Sequence, residues 1–242
     1  MANKHASIST SILVEDIAGV DELPDGLGAF VDVNPQMDRT GIPLEVAEDG
    51  AVRAIAKRCG ERGINFRGVH FYCGHSSRWE PEERLSHLAP LYDRLLAISK
   101  NLSDEGYQFD ELITAGTPSV PYALQYVVAA ARSRQVLLAS HACRVVCRYD
   151  PLNSADHHAT VSPGTVVLSD LMTMQLCPTL DLLPAAVVAT HVVSHPGEGL
   201  FTVDVGSKGL AAEMPEYGVG MFVGHTPEYV ACAVVSTQRT RA

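Results

Sequence analysis

Three short polar segments of the sequence each follow an apolar stretch, and each carries side chains that could bind a charged or aromatic ligand. Arg39 lies in DVNPQMDRTGIP, where its guanidinium could pair with an anion. Tyr72 lies in HFYCGHSS, and its ring could pack against a flat heteroaromatic molecule. TAGTPS brings Thr114, Gly116 and Thr117 to a Gly-Thr-Pro turn, whose hydroxyls and backbone N–H groups could bind a phosphate. Taken singly, each segment also matches an ordinary loop or helix cap.

Two histidines accompany Tyr72. His70 alternates with Tyr72 along the same apolar stretch, so the two side chains are expected on one face of a strand, whereas His75 belongs to the following loop. An imidazole at either position could hydrogen-bond to a ligand or serve a structural purpose.

A separate group contains side-chain types that bind zinc, namely Cys143, Cys147, His157 and His158. The spacing of the two cysteines matches no familiar zinc motif, and the neighbouring arginines oppose a bound cation. We therefore predict no metal site in this segment.

The elements around the three polar segments follow one another in βα order. Strands and helices are predicted by period and by turn residues at Ala29 to Val33, Pro43 to Arg62, Ile64 to Tyr72, Pro81 to Asn101, Phe109 to Gly116 and Tyr122 to Ala131. Three consecutive βα units indicate an α/β fold and part of a barrel. The polar segments then lie at the C-terminal ends of the strands, where barrel active sites are built.

The pattern changes after Pro163 and Gly164. Short apolar runs such as VVLSD, AAVVATHVVS and LFTVDVG are separated by Pro and Gly turns, which predicts a β-rich region. The predicted organisation is a leader over residues 1–27, a partial barrel over 28–180 and an incomplete β domain over 185–242. The stretch from Arg132 to Ala159 has no clear period.

Composition narrows the class of partner. Asp and Glu outnumber Lys and Arg by 28 to 18, which disfavours nucleic-acid binding and leaves a small metabolite as the expected ligand. The N-terminus does not resemble a secretion signal and no long apolar run occurs, so we expect a cytoplasmic protein without a membrane span. The six cysteines are expected to be free thiols.

In this order, DVNPQMDRTGIP, GVHFYCGHSS, TAGTPS, VSPGTVVLSD and FTVDVGSKGLAAE resemble the D-threonine aldolase and D-serine dehydratase-like family, which shares its barrel with alanine racemase. The resemblance runs from about Gly28 to Glu228. It implies a partial (β/α) barrel of the alanine racemase type, followed by the start of a β-rich C-terminal domain.

The resemblance also implies a cofactor and a chemistry. Pyridoxal 5′-phosphate would be bound by Arg39, Tyr72, Thr114, Gly116 and Thr117, the last three near its phosphate. The family cleaves a bond next to the α-carbon of a D-amino acid, with the pyridine ring as electron sink. A homodimer is a further expectation.

The sequence departs from the family at two positions that matter for chemistry. The Schiff-base lysine of the family lies on the first barrel strand, and the only lysine ahead of Asp32 is Lys4. The other lysines are Lys57, Lys100 and Lys208, of which none matches the family position. The family's divalent-metal ligands also have no counterpart here.

Three functions follow in order. The first is a pyridoxal-phosphate lyase of D-threonine aldolase or D-serine dehydratase type, catalytically incomplete as given. The second is a non-catalytic barrel remnant or association module. The third is an amino-acid racemase, which needs acid and base groups on both faces of the substrate that we cannot assign.

Overall fold

The computed structural model describes residues 9–123, 158–167, 169, 171–183, 185, 187–198 and 200–205, together with the backbone of 220–225 and 230–234. The chain divides into two compact units, one ending at Ser162 and one beginning at Pro163.

The first unit is built on a parallel sheet. Its strands are β1 (Ser11–Val14), β2 (Gly28–Asn34), β3 (Ile42–Pro43), β4 (Asn65–Phe71), β5 (Glu111–Thr114) and β6 (His158–Val161). The strand order is β1-β2-β4-β5-β6, with the short β3 beside the end of β2. The sheet is the predicted α/β arrangement, with polar segments after β2, β4 and β5.

Helices cover one face of this sheet. They are α1 (Ile17–Asp21), α2 (Leu44–Val46), α3 (Val52–Arg62) and α4 (Arg84–Asp104), and a π-helical turn at Ala47–Ala51 joins α2 to α3. The predicted apolar stripes are buried: Leu44, Ala47, Ile55 and Cys59 before Gly63, and Leu88, Leu91, Leu95 and Ile98 on α4. Gly63 ends α3 in the left-handed conformation, with φ of 67°.

The segment expected to be a leader contributes to the sheet. β1 pairs in parallel with β2, Ser11 opposite Gly28 and Val14 opposite Val31, and α1 follows it. The sequence signal was weak because the strand is four residues long and Ile12 and Leu13 are more than 40% exposed. β1 contains no lysine.

A kink in the middle of the sheet sets the register between β2 and β4. Ala29 lies opposite Phe66, but the next residue, Phe30, lies opposite Gly68, so β4 holds one extra residue. Gly68 adopts φ of +140°, and a Cβ there would lie 1.8 Å from the carbonyl oxygen of Glu111. Only glycine fits this β-bulge.

The second unit is mostly β. It contains α5 (Leu171–Leu176), β7 (Val187–Thr190), β8 (Val192–Gly197), β9 (Leu200–Val203), β10 (Gly220–His225) and β11 (Val230–Val234). β10, β11 and β7 form one antiparallel sheet, and β8 and β9 form another. The prediction of a strand at VVLSD was wrong: Thr165–Val167 is a 3-10 turn and α5 follows. Short apolar runs do not separate strand from helix by period alone.

Two further sequence expectations can be compared with the described residues. Cys59, Cys73 and Cys177 are buried free thiols. Within the described ranges, no helix combines the length and the apolar character that crossing a membrane requires.

Candidate functional site

The C-terminal ends of β2 and β4 bring together a buried acid and a histidine. Asp32 and His70 are register partners on these adjacent strands, and Nδ1 of His70 lies 2.6 Å from Oδ1 of Asp32. Asp32 is 3% exposed. The sequence analysis noted His70 but did not pair it with Asp32, because the pairing depends on the bulge at Gly68.

The carboxylate of Asp32 is held in its charged form. Burial alone would raise its pKa, but the hydrogen bonds from His70 and Thr40 and the positive charge of Arg39 outweigh burial and lower it. Asp32 therefore links β2 to β4 and to the loop that carries Arg39.

Tyr72 follows β4 and is enclosed by two glycines. A Cβ at Gly74 would lie 2.5 Å from Cε1 of Tyr72, and a Cβ at Gly116 would lie 2.8 Å from Cε2. The two glycines thus permit the chain to approach the ring closely. The segment HFYCGHSS and the turn TAGTPS meet at this tyrosine, as the βα pattern predicted.

Arg39 reaches the same ring from the loop after β2. Its guanidinium carbon lies 4.4 Å from the centroid of Tyr72, which is cation–π distance. Inside the loop, Oδ1 of Asn34 accepts hydrogen bonds from the backbone N–H groups of Met37 and Asp38 at 2.8 and 3.0 Å. The N–H of Gly41 donates to Glu15 at 3.0 Å. The loop is therefore ordered by its own contacts.

The Gly-Thr-Pro turn does not offer the free amides that its sequence suggested. The N–H of Gly116 donates to Oγ of Ser119, and the N–H groups of Ser119 and Val120 donate to the carbonyl of Gly116. Thr117 is buried. The turn therefore satisfies these donors internally, and its contribution to the site is the close packing of Gly116 on Tyr72.

Thr114 faces away from Tyr72. It lies opposite Phe71 in the register of β4 and β5, and it hydrogen-bonds with Tyr92, which is buried on α4. Side chains alternate along a strand, so Thr114 belongs to the helix-covered face, as Phe71 does. The structure thus brings Arg39, Tyr72 and Gly116 together and separates Thr114 from them.

His75 is a buried neutral imidazole. Burial and the nearby charge of Arg78 lower its pKa. Its ring meets the edge of Trp79 at 4.8 Å between centroids, and Trp79 stacks on His87 at 4.6 Å. Among the described residues, Nδ1 of His75 has no hydrogen-bond partner.

The described lysines lie on the outer surface. Lys57 on α3 and Lys100 on α4 have side chains 70% and 66% exposed, and they pair with Glu61 and Asp104. Lys4 and Lys208 fall outside the described residues. No described lysine is next to Tyr72.

Metal-binding groups were searched in the same part of the chain. No cluster of three or more His, Cys, Asp or Glu side chains there could hold a metal ion. Cys143, Cys147 and His157 fall outside the described residues, as does the side chain of His158.

Comparison with known proteins was made at two levels. No protein-family model and no curated protein matches this chain. Among solved structures, D-threonine aldolase from Filomicrobium marinum superposes with a TM-score of 0.61 at 18% identity, covering 94% of this chain and 56% of that chain. D-threo-3-hydroxyaspartate dehydratase from Delftia sp. HT23 superposes with a TM-score of 0.56 at 18% identity, covering 93% and 58%.

A third solved structure extends the likeness. An alanine racemase-like protein from Idiomarina loihiensis gives a TM-score of 0.53 at 17% identity, covering 93% of this chain and 58% of that chain. This chain thus spans 56% to 58% of the length of these structures. Its fold is that of the alanine racemase-type barrel followed by β structure, and the predicted resemblance is confirmed at that level.

Proposed function

We propose that this chain carries the pyridoxal 5′-phosphate-binding face of a lyase acting on D-amino acids such as D-threonine or D-serine. The observation that supports it best is the placement of Tyr72, fixed between Gly74 and Gly116 with the guanidinium of Arg39 4.4 Å from its ring. The ordered sequence motifs and the fold agree with this assignment.

The residues around Tyr72 fit a flat anionic ligand. Tyr72 supplies an aromatic surface, and Arg39 supplies an exposed positive charge that can pair with a phosphate or a carboxylate. Since the amides of the Gly-Thr-Pro turn are satisfied internally, Arg39 is the group expected to bind the anion. When bound, pyridoxal phosphate supplies an electron sink for cleavage next to the α-carbon.

Binding and turnover separate in this proposal. Arg39 and Tyr72 can hold the cofactor without a covalent bond, whereas the family chemistry requires a positioned lysine. Lys57 and Lys100 are turned to solvent on the outer helices. We therefore expect weak non-covalent binding without aldol cleavage or dehydration from the chain as given.

A different reading is an association module that keeps the barrel fold without turnover. The apolar residues Ile12, Leu13 and Ile17, each more than 40% exposed on or next to the edge strand β1, favour it. Absence of cofactor binding would leave it as the better reading.

Calorimetric titration with pyridoxal 5′-phosphate tests the proposal. Saturable binding by the parent and about tenfold weaker binding by Arg39→Gln are expected, because loss of one charged contact costs about 1.5–3 kcal/mol when fully formed and less at an exposed position. Arg53→Gln is the control, since Arg53 pairs with Glu105 on the outer helices at 2.8 Å. Equal affinity of Arg39→Gln and the parent would contradict the site.

Borohydride reduction followed by peptide mapping tests the lysine argument. We expect no specific labelling of Lys57 or Lys100 and no cleavage of D-threonine or D-serine. Specific labelling of either lysine together with turnover would show that the proposed separation of binding and catalysis is wrong.

A further inference from the structure

The Asp32–His70 pair has a defined direction. Asp32 is 3% exposed, and its lowered pKa keeps the carboxylate charged, so it can only accept a hydrogen bond. Nδ1 of His70, 2.6 Å away, must therefore carry the proton. The carboxylate fixes both the tautomer and the orientation of the imidazole, as an orienting acid does for a catalytic histidine.

The other ring nitrogen of His70 is left available. Within the described part of the chain, Nε2 has no hydrogen-bond partner, and it is not among the polar atoms that are both buried and unpaired. The side chain of His70 is 14% exposed. In the tautomer that Asp32 imposes, Nε2 bears a lone pair and faces open space.

His70 shares its surroundings with the ligand-binding residues. Its ring is parallel to that of Tyr72 within 4°, at 6.4 Å between centroids, and Arg39 contacts the same tyrosine. Its register partner on the other side is Ile113 of β5, which is uncharged. The nearest acid on β5, Glu111, hydrogen-bonds with Thr160. The charged and titratable neighbours of His70 are thus Asp32, Arg39 and Tyr72.

We propose that Nε2 of His70, oriented by Asp32, is a proton-accepting atom of the ligand site. It would take the proton of a hydroxyl or ammonium group on an amino-acid ligand whose carboxylate pairs with Arg39. The proton passes from the ligand's O–H or N–H to Nε2, and the resulting imidazolium is balanced by the carboxylate of Asp32. The return step restores the neutral ring. This assignment rests on the proposed function, whose cofactor supplies the remaining chemistry.

The first test is the tautomer of His70, read by nitrogen-15 NMR of histidine-labelled full chain at neutral pH. We expect the Nδ1-protonated form in the parent and a mixture of tautomers in Asp32→Asn, which keeps the size of the side chain but loses its charge. His87, exposed on α4, serves as the reference resonance and His87→Asn as the matched control. A parent His70 protonated on Nε2 would overturn the inference.

The second test adds ligand. With pyridoxal 5′-phosphate present, titration with D-serine should shift the Nε2 resonance of His70 and leave that of His87 in place. His70→Phe, which keeps a ring against Tyr72 without nitrogens, and Asp32→Asn should each weaken D-serine binding about fivefold while pyridoxal 5′-phosphate binds as in the parent. If either variant folds poorly, the NMR titration of the parent decides.

The outcomes separate the two proposals. Pyridoxal 5′-phosphate binding with an unmoved His70 resonance would overturn the role of His70 and leave the proposed function standing. Failure of the parent to bind pyridoxal 5′-phosphate would overturn the proposed function, and the role of His70 would fall with it.

Discussion

At the scale of single residues, the site is set by contacts around Tyr72. The ring occupies the space that side chains at positions 74 and 116 would need. Gly116 was singled out in the sequence for binding phosphate, but in the structure its absence of a side chain serves the tyrosine. Sequence could identify the residue but not its neighbour, because that contact joins two different βα units.

Substitution of Gly116 by Ala should displace the ring of Tyr72 and weaken pyridoxal 5′-phosphate binding, because the added Cβ would lie 2.8 Å from Cε2. In a Tyr72→Ala background the same substitution should have little further effect, since the clashing ring is gone. Calorimetry on the four proteins of this double-mutant cycle measures the coupling. Additive losses would show that Gly116 acts on the ligand directly.

Asp32 should make stability depend on pH in a predictable direction. A lowered folded-state pKa contributes stability above the unfolded value of about 3.9, and that contribution is lost as pH falls through the folded-state pKa. Asp32→Asn should cost about 1–3 kcal/mol at about pH 7 and much less near about pH 2. Urea unfolding at both pH values tests this. An equal cost at both would exclude a charge effect.

At the scale of elements, the βα order was predictable because helical and strand periods differ clearly in the first half of the chain. Boundaries shifted where local contacts decided them: α4 was predicted over Pro81 to Asn101, and the structure has Arg84–Asp104, with Leu102 buried. The bulge was not predictable from period. Without the extra residue in β4, Asp32 would lie opposite Val69 and the pair with His70 would not form.

Substitution of Gly68 by Ala therefore tests the element that sets the register. The φ of +140° and the 1.8 Å approach to Glu111 predict a loss of at least about 3 kcal/mol in the free energy of unfolding, or failure to fold. Gly60→Ala on α3 is the matched control, because nothing lies within 4 Å of its Cβ position. It should stabilise the chain by about 0.5–1 kcal/mol. Similar stability for both variants would contradict the bulge.

At the scale of the whole molecule, the described sheet of the first unit ends at β1 on one side and β6 on the other. An edge strand with exposed apolar side chains favours pairing with another chain. The expected homodimer is a proposal that this feature supports. Composition could predict an apolar core, but it could not predict which apolar residues remain outside it.

Ile12→Lys and Ile17→Lys should reduce self-association, because each places a charge beside the edge of β1, where the parent residues are 44% and 46% exposed. Light scattering coupled to size-exclusion chromatography measures the mass in solution. Val193→Lys, at a residue 59% exposed in the second unit, is the control. An unchanged mass distribution for all three variants would mean that the β1 edge does not mediate association.

The stacked arrangement of Trp79 between His75 and His87 also gives the molecule a built-in optical probe. Trp79 is the single tryptophan of the sequence, so all indole emission from the chain originates at one position. That position lies on the segment that follows Tyr72, with imidazoles at 4.8 and 4.6 Å. Emission from this indole overlaps the absorption of a pyridoxal ring, so occupancy of the site should be readable by resonance energy transfer without any added dye.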